Sequence, residues 1–113
     1  MNKYIHQDLA ANHWFKMPLS EQLANVGSEF SRAYQAKKKS KEKRFESALL
    51  RMIELLNLTL MDPRWTGLRK QEIARLKENI LESMNFHYTC LDKITALEKY
   101  FYYFGVSRSI SKL

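Results

Sequence analysis

The chain has 113 residues, enough for one domain with a thin margin of stability. Its hydrophobic share of 45% and charged share of 27% exclude a wholly disordered chain. Nineteen Lys and Arg against twelve Asp and Glu give a net charge of +7, which favours anionic partners. Only three Gly and two Pro interrupt it, so long helices are expected. One cysteine, Cys90, excludes an internal disulfide and fits a reducing cytoplasm. Neither a signal peptide nor an 18-residue apolar span is visible, so no membrane role is expected.

Residues 1–17 show weak periodicity and read as an N-terminal arm, with a short helix around Tyr4–Ala11. The arm docks by the cluster Trp14, Phe15 and Met17. Pro18 suits a first helical turn, Ser20 can cap free amides, and Glu21 meets the positive end of the dipole. Leu19, Leu23, Val26, Phe30 and Ala33 then trace one helical stripe, which Tyr34 and Lys37 continue. Gly27 within it permits a close backbone approach. A charge run from Lys37 to Arg44 contains a short turn. The second helix is expected from about Ser40 to Met61, its main stripe being Phe45, Leu49, Met52, Leu56 and Leu60. Ala48, Ile53, Leu55 and Leu58 widen that stripe, so this helix should be the most buried. Asp62-Pro63 ends it, because Pro disfavours the α conformation in the residue before it.

The third helix is expected over Leu68–Met84, with Leu68, Ile73, Leu76, Ile80 and Met84 facing inward. Asn85–Tyr88 reads as a loop and Thr89 as a cap. The fourth helix spans about Cys90–Phe104, with Gly105 as its stop. The expected organisation is therefore all-α: an N-terminal arm (1–17), an antiparallel up-down four-helix bundle (18–105) and a C-terminal tail (106–113). In that topology the Lys37–Arg44 turn lies at one pole. The arm, the Arg64–Lys70 connection and the tail lie at the other. Glu46, Glu78 and Glu82 offset bases on the exposed faces between.

Six of the eight residues from Lys37 to Arg44 are basic: Lys37, Lys38, Lys39, Lys41, Lys43 and Arg44. Clustered cations on a helix-helix turn bind phosphates by Coulomb attraction and counterion release, or simply keep the surface solvated. Arg64, Arg69 and Lys70 form a second basic group, also expected to contact nucleic acid. Trp14 beside Lys16, and Arg64 beside Trp65, suit base stacking or a protein interface. Equally, these rings can close the end of the core. The run Tyr100-Phe101-Tyr102-Tyr103-Phe104 covers every side of a helix, more than one core can bury. Trp14, Trp65, Tyr100, Tyr102 and Tyr103 are thus candidates for an oligomer or partner interface.

Placing the hairpin turn near Lys39–Ser40 sets Glu29 across from Arg51 and Arg32 across from Ala48. A half-buried ionic cluster of Glu29, Arg32, Arg51 and Glu54 follows, since an unpaired charge there would cost about 3–5 kcal/mol. The competing reading gives Glu29 and Glu54 acid-base work. No nucleophile, metal set or phosphate loop accompanies them, so no catalytic residues are assigned. His6, His13 and His87 are too scattered for a metal set, and His87 near Cys90 lacks an orienting third group. No metal and no cofactor are expected.

Several phrases carry a resemblance: Gly27-Ser28-Glu29-Phe30-Ser31-Arg32-Ala33, Glu54-Leu55-Leu56-Asn57-Leu58-Thr59 with Asp62-Pro63, Arg75-Leu76-Lys77-Glu78 and Tyr100-Phe101-Tyr102. Together, over residues 14–104, they resemble a family of small uncharacterised prokaryotic all-helical proteins, which implies no activity. HEPN-type ribonucleases are also four-helix proteins, but their Arg-to-His spacing is absent here. In size, charge and helix count the chain is similar to the accessory variability determinants of diversity-generating retroelements. That likeness is architectural, resting on no specific motif. It implies an oligomeric basic bundle that binds nucleic acid and a reverse transcriptase. The expectation is a non-enzymatic nucleic-acid-binding accessory protein, with RNA or DNA, a protein partner and further copies of itself as partners. A protein-protein adaptor or antitoxin-like module using the aromatic face is the alternative.

Overall fold

A computed structural model describes residues 13–84 and 91–111, with side chains described over 13–84 and 93–103. Among the described residues all regular structure is helical. A 3-10 turn, Trp14–Lys16, precedes helices α1 (Leu19–Lys38), α2 (Glu42–Met61), α3 (Gly67–Ser83) and α4 (Leu91–Ser111). Helix α1 packs against both α2 and α4, and α3 packs more loosely against α2 and α4 alike. The expected Tyr4–Ala11 helix, the Asn85–Tyr88 loop and the Thr89 cap lie outside the described residues.

The apolar spacing places the core. Leu23, Val26, Phe30 and Ala33 of α1 are buried against Phe45, Ala48, Met52, Leu55, Leu56 and Leu58 of α2. Ile73, Leu76 and Ile80 of α3 are buried too, as are Ile94, Leu97 and Phe101 of α4. Gly27 sits where α4 presses on α1. A Cβ there would lie 2.8 Å from the Cβ of Phe101, so only glycine admits this approach without a shift. The Phe30 and Phe101 rings meet at 5.4 Å between centroids.

Three boundaries and the burial of one position depart from expectation. Pro18, with φ −59° and ψ 153°, is the residue before α1, and its carbonyl receives the Glu21 and Gln22 amides; Ser20 lies inside the helix and caps nothing. Helix α2 starts at Glu42 rather than Ser40, because Ser40 has φ 55° and belongs to the turn. There the Lys41 amide bonds the Ala36 carbonyl at 2.9 Å and the Ser40 amide bonds the Lys37 carbonyl at 3.2 Å. This pairing closes the α1 C-terminus, with a serine where glycine would sit more easily. Leu68, expected inward, is 83% exposed: it falls in the first turn of α3, ahead of the stretch that α2 and α4 cover. Helix α4 continues through Gly105 to Ser111. One interior glycine costs a helix only about 1 kcal/mol, too little to end it.

No helix among the described residues is long and apolar enough to cross a membrane.

Candidate nucleic-acid interface

Helix α2 folds back along α1 in the register that the turn implies. Glu29, its side chain only 8% exposed, accepts from Arg32 Nη1 at 2.8 Å on its own helix and from Arg51 Nε at 3.1 Å across the hairpin. Glu54, half-buried, lies one turn beyond Arg51 on α2.

Above this ion cluster the two helices leave a cleft of about 520 Å³. Its walls carry Arg32 from α1, Lys39 and Lys41 from the turn, and Lys43, Arg44 and Arg51 from α2. Ser31, Gln35 and Ser47 add neutral hydrogen-bonding groups, and no carboxylate lines it among the described residues. Ala36 and Ala48, both buried, contribute small side chains to its lining. The lysine run is divided by this geometry. The ammonium of Lys37 stands 5.0 Å from the Phe45 ring centroid and that of Lys38 stands 4.8 Å from the Tyr34 ring, and neither lines the cleft. Arg32 and Arg51, assigned from the sequence only to the ion cluster, line it instead.

The second basic group is organised differently. Asp62, 1% exposed, accepts from the Arg64 side chain at 2.6 and 3.0 Å, from the Arg64 amide at 3.0 Å and from Gln22 Nε2 at 2.9 Å. Burial alone would push the Asp62 carboxyl up; the bonds from Arg64 and Gln22, with the Arg64 charge, outweigh it and hold the carboxyl below its ordinary 3.8. Arg64 also donates to the Met17 carbonyl at 2.6 Å and stacks 4.5 Å over Trp65. Gln22 donates to the Trp14 carbonyl at 2.9 Å and accepts from Trp65 Nε1 at 2.8 Å. Trp14 Nε1 donates to Thr59 Oγ1 at 3.1 Å, whose hydroxyl donates to the Leu55 carbonyl at 2.7 Å. Arg69 pairs with Glu72 at 3.3 Å, and Lys70 borders a shallow depression between α2 and α3.

These contacts correct one interface candidate. Trp14 is wholly buried, because its ring fills the end of the core and its indole N–H finds an acceptor there. Trp65 is half-buried and held by Gln22. On α4, Phe101 is buried and Tyr100 half-buried, while Tyr102 and Tyr103 are 75% and 69% exposed. Burial, with the negative charge of Glu72, pushes the Tyr100 hydroxyl up to about 12 despite the opposing charge of Arg69. His13 is exposed; His6, His87 and Cys90 lie outside the described residues. No group of three His, Cys, Asp or Glu side chains among the described residues could hold a metal ion.

No family model matches the chain, and no curated protein or solved structure matches it either.

Proposed function

We propose that this protein is a non-enzymatic nucleic-acid-binding helical bundle, of up-down arrangement with an N-terminal arm, that takes a phosphate backbone into the α1–α2 cleft. One observation carries the reading: six bases from two helices and their turn border one cleft that no carboxylate lines among the described residues, Glu29 lying beneath Arg32 and Arg51. Coulomb attraction and counterion release then supply affinity without reading base edges. Against an enzymatic reading stands Glu29, the carboxylate best placed for acid-base work, since both its oxygens accept from guanidinium groups. The reading extends to an oligomeric accessory factor for a nucleic-acid enzyme such as a reverse transcriptase.

Retention of single-stranded RNA and DNA at rising salt tests the proposal. Binding should be tight at low salt, with a log-log salt slope that falls by about 0.7 for each phosphate-contacting base removed. The set Lys39→Ala, Lys41→Ala, Lys43→Ala and Arg44→Ala should abolish most of it, and Lys37→Ala with Lys38→Ala should remove less. Absence of binding by the wild-type chain at low salt rejects the proposal.

A second reading is favoured by a separate feature: the tyrosines at 102 and 103 stand on the outer face of α4, opposite buried Phe101. A homo-oligomer or adaptor contact would cover them. Tyr102→Ser with Tyr103→Ser should then lower the mass in light scattering. An unchanged mass, together with intact partner capture, removes that reading.

A further inference from the structure

We infer that the cleft grips the phosphate-bearing end of a strand, with Arg32 and Arg51 as a clamp that Glu29 sets in place. This rests on the nucleic-acid reading above and specifies which part of the strand the site takes.

The clamp is built from the floor of the cleft upward. Glu29 is almost wholly buried and uses one oxygen on each guanidinium, Nη1 of Arg32 at 2.8 Å and Nε of Arg51 at 3.1 Å. Both arginines also line the cleft, so each has nitrogens besides the one given to Glu29. Their side chains are 66% and 32% exposed, against 8% for Glu29: the carboxylate is beneath and the guanidinium groups face outward. A guanidinium already held in one orientation loses less freedom when a phosphate arrives, and its planar fork matches phosphate oxygens in pairs.

Charge density then decides which phosphate fits. Six cations border about 520 Å³, and the buried carboxylate beneath them leaves five net positive charges. An internal phosphodiester brings one negative charge per nucleotide. A terminal phosphomonoester brings about 1.5 to 2 on one phosphorus, with three strong acceptor oxygens. The compact dianion therefore neutralises more of the site and meets more donors at once. Arg32 comes from α1, Lys39 and Lys41 from the turn, and Lys43, Arg44 and Arg51 from α2, so one cleft gathers bases from three parts of the hairpin.

The full-length chain is titrated against identical labelled single strands with hydroxyl ends, with a 5′-phosphate, or with a 3′-phosphate. Fluorescence anisotropy reads the affinity, and inorganic pyrophosphate serves as competitor. A phosphorylated end should bind about tenfold tighter than the hydroxyl-ended strand, as charge-assisted forked bonds to a dianion exceed those to a diester. Pyrophosphate should displace it at concentrations where an equal ionic strength of chloride does not. Arg51→Lys keeps the charge but loses the fork, so the end preference should fall to near unity while binding to hydroxyl-ended strand falls less. Glu29→Gln should reduce the preference in the same way; should that variant fail to fold, Arg51→Lys decides. Equal affinity for all three strands overturns the inference and leaves the nucleic-acid reading standing. Failure of every strand to bind at low salt overturns both.

Discussion

The two ends of the α1–α2 hairpin treat positive charge in opposite ways. At the end where α1 begins and α2 finishes, Arg64 lies in a closed network: its guanidinium faces the Asp62 carboxylate, a main-chain carbonyl and the Trp65 ring. At the turn, Lys39, Lys41, Lys43 and Arg44 border a cleft that no carboxylate lines among the described residues. The first arrangement holds the chain together, since Asp62, Gln22, Thr59 and Trp14 are all buried and every one is hydrogen-bonded. The second leaves its charge for something else to neutralise. A basic sequence of +7 thus contains two populations of cations, and only their neighbours distinguish them.

The largest effect should come from opening the closed end. Trp14→Ala removes the ring at its centre and the indole N–H that Thr59 Oγ1 accepts from, and should cost about 3–5 kcal/mol in urea denaturation. A cost below 1 kcal/mol would mean that the network is ornamental to the fold. Asp62→Asn should cost about 1–3 kcal/mol at neutral pH, by weakening charged hydrogen bonds to Arg64. It also has a pH signature. The folded carboxyl sits below 3.8, so on acidification the unfolded chain takes up the proton first. The stabilisation is complete above that value and disappears as pH falls through the folded pKa. The variant should lack that part of the acid-induced loss.

Gly27→Ala sharpens the comparison from the middle of α1. The added methyl meets Phe101 at 2.8 Å, and overpacking of this kind costs about 1–3 kcal/mol. That outweighs most or all of the roughly 1 kcal/mol that alanine gains in helix propensity. Stability should fall while affinity at the cleft, on the other flank of α1, stays within about twofold, as for sites without shared partners. The smallest effect belongs to the open end: Ser40→Gly should raise stability by about 1 kcal/mol, because a glycine adopts φ 55° without the steric cost to Cβ.

The hairpin was legible in the sequence because its signals were local. Stripes at three- and four-residue spacing marked the buried faces of α1 and α2, and a lysine-rich turn of known position set Glu29 opposite Arg51. The closed network was not legible. Gln22 stands between Glu21 and Leu23 and reads as a solvent-facing polar residue, yet it is fully buried. Its partners lie 40 and 43 positions away, at Asp62 and Trp65, and periodicity carries no information over such distances. One hint was available: two indole N–H groups near a bundle end need acceptors if they enter the core. Leu68 misled in the opposite direction, since spacing reports a face of α3 and not where the neighbouring helices stop covering it. Composition alone also could not divide the lysine run, because whether Lys38 faces a ring or a cleft depends on the local twist of α1.

The most direct test compares two variants that remove the same charge from different places. Lys41→Ala with Lys43→Ala takes two cations from the cleft, and Arg69→Ala with Lys70→Ala takes two from the start of α3. In salt-dependent binding to single-stranded RNA, the cleft pair should lower affinity by about tenfold or more and reduce the salt slope by about 1.4, while the α3 pair leaves the slope within a few tenths of wild type. Equal losses from both pairs would show that net charge alone attracts the strand, and would contradict the assignment of the cleft.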